Sequence, residues 1–169
     1  KKGIIAFTDG VKTIQNTRLM SRIMTSAHDL NCLIIQHAED YDLSKGGMIN
    51  DGIIATKLGL QGITDIAELI IIERDLTLLE NIKCRYHISQ ISSSKSVETI
   101  KRRKQRVKFT CGVSINNLSL NENDIGDFKT FLKLSPPLRT EEDRVSLVQG
   151  LNDETINVIV SDHKPEDEE

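Results

Sequence analysis

The sequence predicts an α/β protein built on a parallel sheet, and three observations carry that reading. Short apolar runs of strand length alternate along the chain with stretches of helical periodicity. Several of the helical stretches begin at a capping residue or stop at a glycine or proline. The clearest strand run, Cys32 to His37, is apolar on both faces, as a strand covered by helices on one side and enclosed on the other should be.

Taken in order, Gly3–Phe7 reads as a short buried strand. Asn16-Thr17 then caps a helix to about Leu30, with Leu19, Ile23, Met24 and Ala27 at helical spacing. The Cys32–His37 strand leads into a loop rich in Asp, Gly and Ser, Glu39–Gly47. Two helices are expected next: Asn50–Leu60, ended by Gly62, and Thr64–Glu80, where Ile66, Leu69, Ile70 and Glu73 separate an apolar from a charged face. Arg85–Ser92 is the third strand, Lys95–Arg106 a helix and Val107–Ile115 the fourth strand. A polar segment, Asn116–Asp127, passes through Phe128–Leu134 to Ser135-Pro136-Pro137, where two prolines stop any helix or ladder. Thr140-Glu141-Glu142-Asp143 opens a helix with a cap and three acids in its first turn, ending near Leu151. Ile156–Ser161 is the fifth strand.

Such alternation leaves an open doubly wound sheet or a (β/α)8 barrel. The first strand-to-helix turn, Thr8-Asp9-Gly10-Val11, lacks a G-x-G-x-x-G, and no GxxxxGK[ST] occurs, so a nucleotide-binding sheet is disfavoured. The barrel is the reading adopted, with about five of its eight βα units in this chain. Residues 1–169 are expected to be part of one barrel domain, with its first strands and C-terminal end lying outside them. An open barrel exposes sheet edges, so homo-oligomerisation is expected.

Composition narrows the function. With 22 basic and 25 acidic residues, net charge -3 and pI ≈ 5.9, the chain has no field to recruit nucleic acid. The basic run Lys101–Lys108 has no interleaved aromatics, and four Phe, two Tyr and no Trp give no stacking platform; it reads as the solvated end of a helix. No apolar run reaches membrane-spanning length, and Lys1–Asp9 does not read as a signal peptide. Cys32, Cys84 and Cys111 are far apart and form no CxxC, which suggests buried free thiols in a reducing, cytoplasmic setting.

The chemistry-bearing residues fall at strand C-termini. Asp9 follows the first strand, His37 closes the second, Gln90 and Ser92 close the third, Asn116 and Asn117 follow the fourth, and Asp162-His163 follow the fifth. In a barrel these ends share the face where active sites are built. Two Asp and one His there suit a divalent metal, with a carboxylate as bridge or general base. Side-chain alternation sets His87 opposite to Gln90 and toward the helices, a structural role. His28 is expected at the surface of its helix, and His163 at the rim or in support of Asp162.

The residues resemble the dihydroorotases of the amidohydrolase superfamily. The resemblance rests on Ala6-Phe7-Thr8-Asp9-Gly10, Gln36-His37-Ala38-Glu39-Asp40, Gly47-Met48-Ile49-Asn50-Asp51-Gly52 and Leu58-Gly59-Leu60-Gln61-Gly62-Ile63. Ile72-Glu73-Arg74-Asp75, Ser135-Pro136-Pro137-Leu138-Arg139 and Ser161-Asp162-His163-Lys164-Pro165 extend it. It implies a zinc-dependent, reversible hydrolysis of dihydroorotate to carbamoyl aspartate in pyrimidine synthesis. Asp9 would then be a ligand or bridging carboxylate, His37 a metal ligand and Asp162 the catalytic proton shuttle. The chain also departs from the pattern at one pocket: Gln90 stands where the family has a ligand histidine, and Ser135 where it has a substrate-contacting asparagine. Glu166 replaces a histidine that reaches the substrate carboxylate, and Asn116-Asn117 replaces a histidine-bearing turn, which places Asn117 beside the substrate. Such losses resemble metal-free homologues that serve as non-catalytic partners of aspartate carbamoyltransferase.

Overall fold

The computed structural model describes residues 3–126 and 129–163. In chain order its elements are β1 (Ala6–Thr8), α1 (Thr17–Asp29), β2 (Leu33–Gln36), α2 (Tyr41–Ser44), β3 (Ile49–Asn50), α3 (Ile53–Leu58) and β4 (Gly62–Ile63). They continue with α4 (Ile66–Ile82), β5 (Arg85–Ile88), α5 (Ser94–Arg103), β6 (Thr110–Ser114), α6 (Ile115–Ser119), α7 (Glu141–Asn152) and β7 (Val158–Val160). Two short 3-10 turns, Glu122–Ile125 and Thr130–Leu132, lie between α6 and α7.

Five strands form one sheet in the order β1-β2-β5-β6-β7, and every neighbouring pair is parallel. Parallel neighbours need crossover connections, which the helices supply. The strands therefore all end on the same edge. The β3–β4 pair is separate, also parallel, and occupies part of the connection between β2 and β5 with α3.

The main core lies between the sheet and its helices. Met20 and Met24 of α1 and Leu76 and Leu79 of α4 pack with Tyr86 and Ile88 of β5, all nearly inaccessible. Cys111 and Val113 of β6 continue this layer toward Val97 and Ile100 of α5 and Leu147 of α7. A second, smaller cluster of Ile49, Ala55, Ile125 and Leu138 supports the β3–β4 pair.

The caps behave as expected: the Asn16 side chain accepts from the Leu19 amide, and Thr140 forms a reciprocal capping box with Asp143. Several boundaries do not. The first strand is Ala6–Thr8, not Gly3–Phe7, and it is an open edge: Ile5 is 81% and Phe7 49% exposed. The expected 50–60 helix is only α3, with two-residue strands on either side, because Gly52, Gly59 and Gly62 leave room for little more. Val107 and Phe109 are buried but precede β6, and Asn116-Asn117 lie in α6 instead of a turn.

On α4 the expected apolar face is turned. Ile66 and Ile70 are exposed, while Ala67, Glu68, Ile71, Ile72 and Asp75 face inward. The two buried carboxylates have partners contributed by other elements, described below, which is the condition for burying them. The basic run is the largely exposed end of α5, as expected, and its charges are partnered. Arg102 and Arg103 of α5 pair with Glu73 of α4, Arg103 also with Glu80, and Lys101 with Asp153. The thiols are free, with Cys84 and Cys111 buried and Cys32 only partly so. Burial pushes the Cys111 thiol up to about 11.

Candidate functional site

The shared strand-end edge carries Asp9, His37, Gln90, Ser114 and Asp162. Of these, His37 is the most strongly fixed. Its carbonyl accepts from Thr13 Oγ1 at 2.8 Å, and the same Thr13 oxygen accepts from the Glu39 amide at 3.1 Å. Gln15 adds a second clasp, donating to the Glu39 carbonyl at 2.8 Å and accepting from the Tyr41 amide at 3.3 Å. The loop after β1 thus pins the turn that follows β2. Asp40 caps α2 and its own amide bonds Ala67 of α4, so the turn is tied from below as well.

The His37 side chain is buried, and its Nε2 lies 3.3 Å from Ser135 Oγ and 3.5 Å from Glu39 Oε2. Ser135 Oγ donates to the same Glu39 oxygen at 3.1 Å. Burial alone would raise the Glu39 carboxyl, but hydrogen bonds from His37, Ser44 and Ser135 and the neighbouring imidazole outweigh it, leaving the group below its ordinary value. These three side chains come from segments nearly a hundred residues apart in sequence.

Ser135 is delivered by a loop that is itself anchored twice. Asn117, buried on α6, donates to the Pro137 carbonyl at 3.0 Å. Its Oδ1 has no partner among the described residues. The second anchor is Arg139, only 3% exposed, which reaches Ser92 Oγ at 3.1 Å, Asn50 Oδ1 at 2.8 Å, the Thr64 carbonyl at 3.4 Å and the Ile63 carbonyl. Ser92 in turn donates its amide to Glu68 at 3.0 Å and its hydroxyl to the same carboxylate at 2.5 Å. Asn50 donates to Glu122 at 2.6 Å, and the Glu122 amide bonds the Arg139 carbonyl. Burial lowers the Arg139 value, and the carboxylates of Glu68, Asp65, Asp143 and Glu39 pull the other way.

This hub was not visible as a site in the sequence, although Asn50 and Arg139 both sit in the motifs that carry the family resemblance. Asp75, on the same buried face of α4, accepts from Tyr86 Oη at 2.6 Å and from Arg74 Nε at 2.8 Å; burial raises its value against the lowering effect of Arg74.

The strand end at Gln90 is irregular. Ser89 bonds back to β2 through the Gln36 carbonyl, whereas Ile91 bonds across to the Gly112 carbonyl of β6. Residues of equal parity in a regular parallel strand bond the same neighbour, so the chain turns between them. Gly112 makes room for this: a Cβ there would lie 2.5 Å from the Ser89 carbonyl oxygen. The turn also corrects the reading of His87. Tyr86 and Ile88 face the helices, so His87 lies on the opposite face, its Nδ1 2.7 Å from Thr110 Oγ1, and burial lowers its value.

Asp9 is exposed, Asp162 is half-buried at φ 48° directly beyond β7, and His28 and His163 are exposed. Gln90 is buried. Glu166 lies outside the described residues. A zinc centre needs three or four convergent donors. Among the described residues no three His, Cys, Asp or Glu side chains come together in that way, and the imidazole of His37 is engaged by Ser135 and Glu39. The described residues do not by themselves assemble the metal centre that the resemblance implied.

A parallel sheet backed by helices, with polar residues gathered at the strand ends, defines a (β/α)8-type barrel wall. The D-hydantoinase (dihydropyrimidinase) of a Thermus species has this fold: it superposes with a TM-score of 0.80 at 18% identity, over 98% of this chain and 38% of that one. A dihydroorotase from Campylobacter jejuni superposes at 0.65 with 16% identity, over 97% of this chain and 43% of its own. Residues 1–96 match the family described as "Dihydro-orotase-like". Proteins named dihydroorotase from Ehrlichia chaffeensis and Anaplasma phagocytophilum are 43% and 41% identical over 98% and 96% of the chain. The chain belongs to the dihydroorotase-like family. It spans 37% of the length of each of those two relatives. No helix among the described residues is long and apolar enough to cross a membrane.

Proposed function

We propose that the protein containing this chain hydrolyses the cyclic amide of dihydroorotate to N-carbamoyl-aspartate, reversibly, as a step of pyrimidine synthesis in the cytoplasm. The observation that carries this reading is the identity of 41–43% with proteins named dihydroorotase, sustained over nearly the whole chain. Residues 1–169 form part of its single barrel domain. Asp162 takes a proton from the attacking water as oxygen adds to the ring carbonyl, then returns it to the nitrogen as the C–N bond breaks. Ser135 and Asn117 flank the substrate.

The test is turnover in both directions by the full-length protein, with and without added zinc, beside an Asp162→Asn variant. The reading expects activity in the parent and its loss in the variant. Equal activity in both would remove Asp162 from the chemistry.

A second reading is favoured by one observation, the dispersed donor set with Gln90 at a position the family gives to histidine. In it the protein is a silent homologue that supports aspartate carbamoyltransferase. A carboxamide oxygen is a poor substitute for imidazole at zinc. Absence of turnover beside an active control dihydroorotase, together with co-purification of the carbamoyltransferase, would establish it.

A further inference from the structure

We infer that Arg74, on the outer helix α4, is a positioning residue for the candidate site, acting through Gln15 to set where the turn after β2 stands. The inference takes the location of the site from the proposed function and nothing of its chemistry. A buried ion pair aims the arginine. Asp75 is wholly inaccessible; its Oδ1 lies 2.8 Å from both Nε and Nη2 of Arg74, and Tyr86 Oη donates to Oδ2 at 2.6 Å. A guanidinium is planar, so holding one edge fixes the direction of the remaining nitrogen. That nitrogen, Nη1, donates to the Gln15 carbonyl at 2.8 Å, across 59 residues of sequence. Asp75 has its partners without this bond, so the bond serves Gln15.

Residues 13–15 lie between β1 and α1, outside any helix or strand. Ile14 gives them an apolar foothold in the main core, and Arg74 makes the one hydrogen bond to their main chain among the described residues. From this short stretch two side chains reach the turn after β2. Thr13 Oγ1 joins the His37 carbonyl and the Glu39 amide, and the Gln15 carboxamide joins the Glu39 carbonyl and the Tyr41 amide. The Tyr41 contact, at 3.3 Å, is already at the long end of a hydrogen bond, so a small shift of the Gln15 main chain breaks it. The turn held in this way carries the His37 and Glu39 side chains that meet Ser135. Arg74 bonds none of these side chains and acts on them through Gln15. Lysine separates the two tasks, since it keeps a charge beside Asp75 and lacks the second arm.

The experiment is hydrogen–deuterium exchange of the full-length protein, read by mass spectrometry on peptides covering residues 38–44 and, for reference, 145–152 of α7. Arg74→Lys and Gln15→Leu should each speed exchange in the first peptide about fivefold, the effect of one lost hydrogen bond, and leave the second unchanged. In the double variant the acceleration should fall well short of the product of the two. Unchanged exchange at 38–44 in Arg74→Lys overturns the inference, as do single effects that multiply. Equal acceleration in both peptides would make Arg74 a residue of global stability and overturn it too. If Arg74→Lys does not fold, Arg74→Gln/Asp75→Asn takes its place, removing both charges while keeping an acceptor for Tyr86; failure of both to fold also overturns the inference. In an active parent, Arg74→Lys should lower kcat as well, and an unchanged kcat beside a loosened turn would confine Arg74 to the fold. Exchange needs no turnover: an inactive protein with the expected pattern would refute the first functional reading and leave Arg74 as the residue that sets the turn.

Discussion

Replacing Arg139 by methionine tests whether one buried guanidinium organises the edge on which the candidate site stands. Methionine keeps most of the volume and removes the charge and every donor. Four acceptors lose a partner: Ser92 Oγ, Asn50 Oδ1 and the carbonyls of Ile63 and Thr64. The Thr64 contact, at 3.4 Å, is long and contributes least. The dominant effect is the loss of a buried charge that faces Glu68, itself only 2% exposed, through the shared Ser92 hydroxyl and not in direct contact. Removing one partner of a directly paired buried ion pair costs about 3–5 kcal/mol, which is an upper range for this bridged arrangement. Glu68 would keep its bonds from Ser92 and Ser93, so the lower end, about 3 kcal/mol, is expected. Urea denaturation of the full-length protein, monitored by far-UV circular dichroism, measures the change. Arg139→Lys should recover only part of it, because one ammonium cannot reach acceptors that the guanidinium meets on three nitrogens. In the Arg139→Met/Glu68→Gln double variant the two losses should fall short of additivity by about 1 kcal/mol or more. A single-variant loss below about 1 kcal/mol, the range of a solvated pair, would refute the hub.

Gly112→Ala should cost about 1–3 kcal/mol in the same denaturation assay, since the added carbon meets the Ser89 backbone oxygen at 2.5 Å and no side chain can turn away to relieve it. A neutral result would show that the turn at Gln90 does not depend on that approach. The Asp143 carboxyl is held below its ordinary value: burial raises it, but bonds from the Ser94 amide at 2.8 Å and hydroxyl, with those from Thr140, outweigh burial. A lowered folded-state value gives stability that is complete above the ordinary aspartate range and lost as pH falls through it toward the folded value. Asp143→Asn should therefore flatten the acid limb of the stability–pH curve; a parallel curve would contradict that assignment.

The alternation of strand and helix was legible because parallel strands are apolar runs and amphipathic helices carry their own period. The caps at Asn16 and Thr140 were legible because a cap is a local bond. What failed depended on distant partners. Counting carboxylates as solvent-facing put Ile66 and Ile70 inside α4, yet Glu68 and Asp75 are the buried ones, held by Ser92 and Tyr86 from later elements. His87 was misplaced because alternation was carried through to Gln90, two residues past the end of β5, across a turn that only Gly112 explains. Asp9, His37 and Asp162 stand at the strand ends where the sequence put them. Glu39, Thr13 and Gln15 were missed, since nothing local marks a threonine as the tie between two backbone groups some 24 residues away.

The residues that hold the edge together and those that would do chemistry on it are different sets. Arg139, Ser92, Asn50 and Thr13 each bond backbone or side chains of another segment. The side chains of Asp9, Gln90 and Asp162 take no part in those ties among the described residues. A substitution in the first set is felt by the fold, and one in the second is felt only by the reaction. A difference confined to the second set leaves the barrel wall as it is, so the TM-score of 0.80 with a hydantoinase speaks for the fold and not for the site. His37 joins the two sets, because it stands at a strand end and its Nε2 meets Ser135 and Glu39.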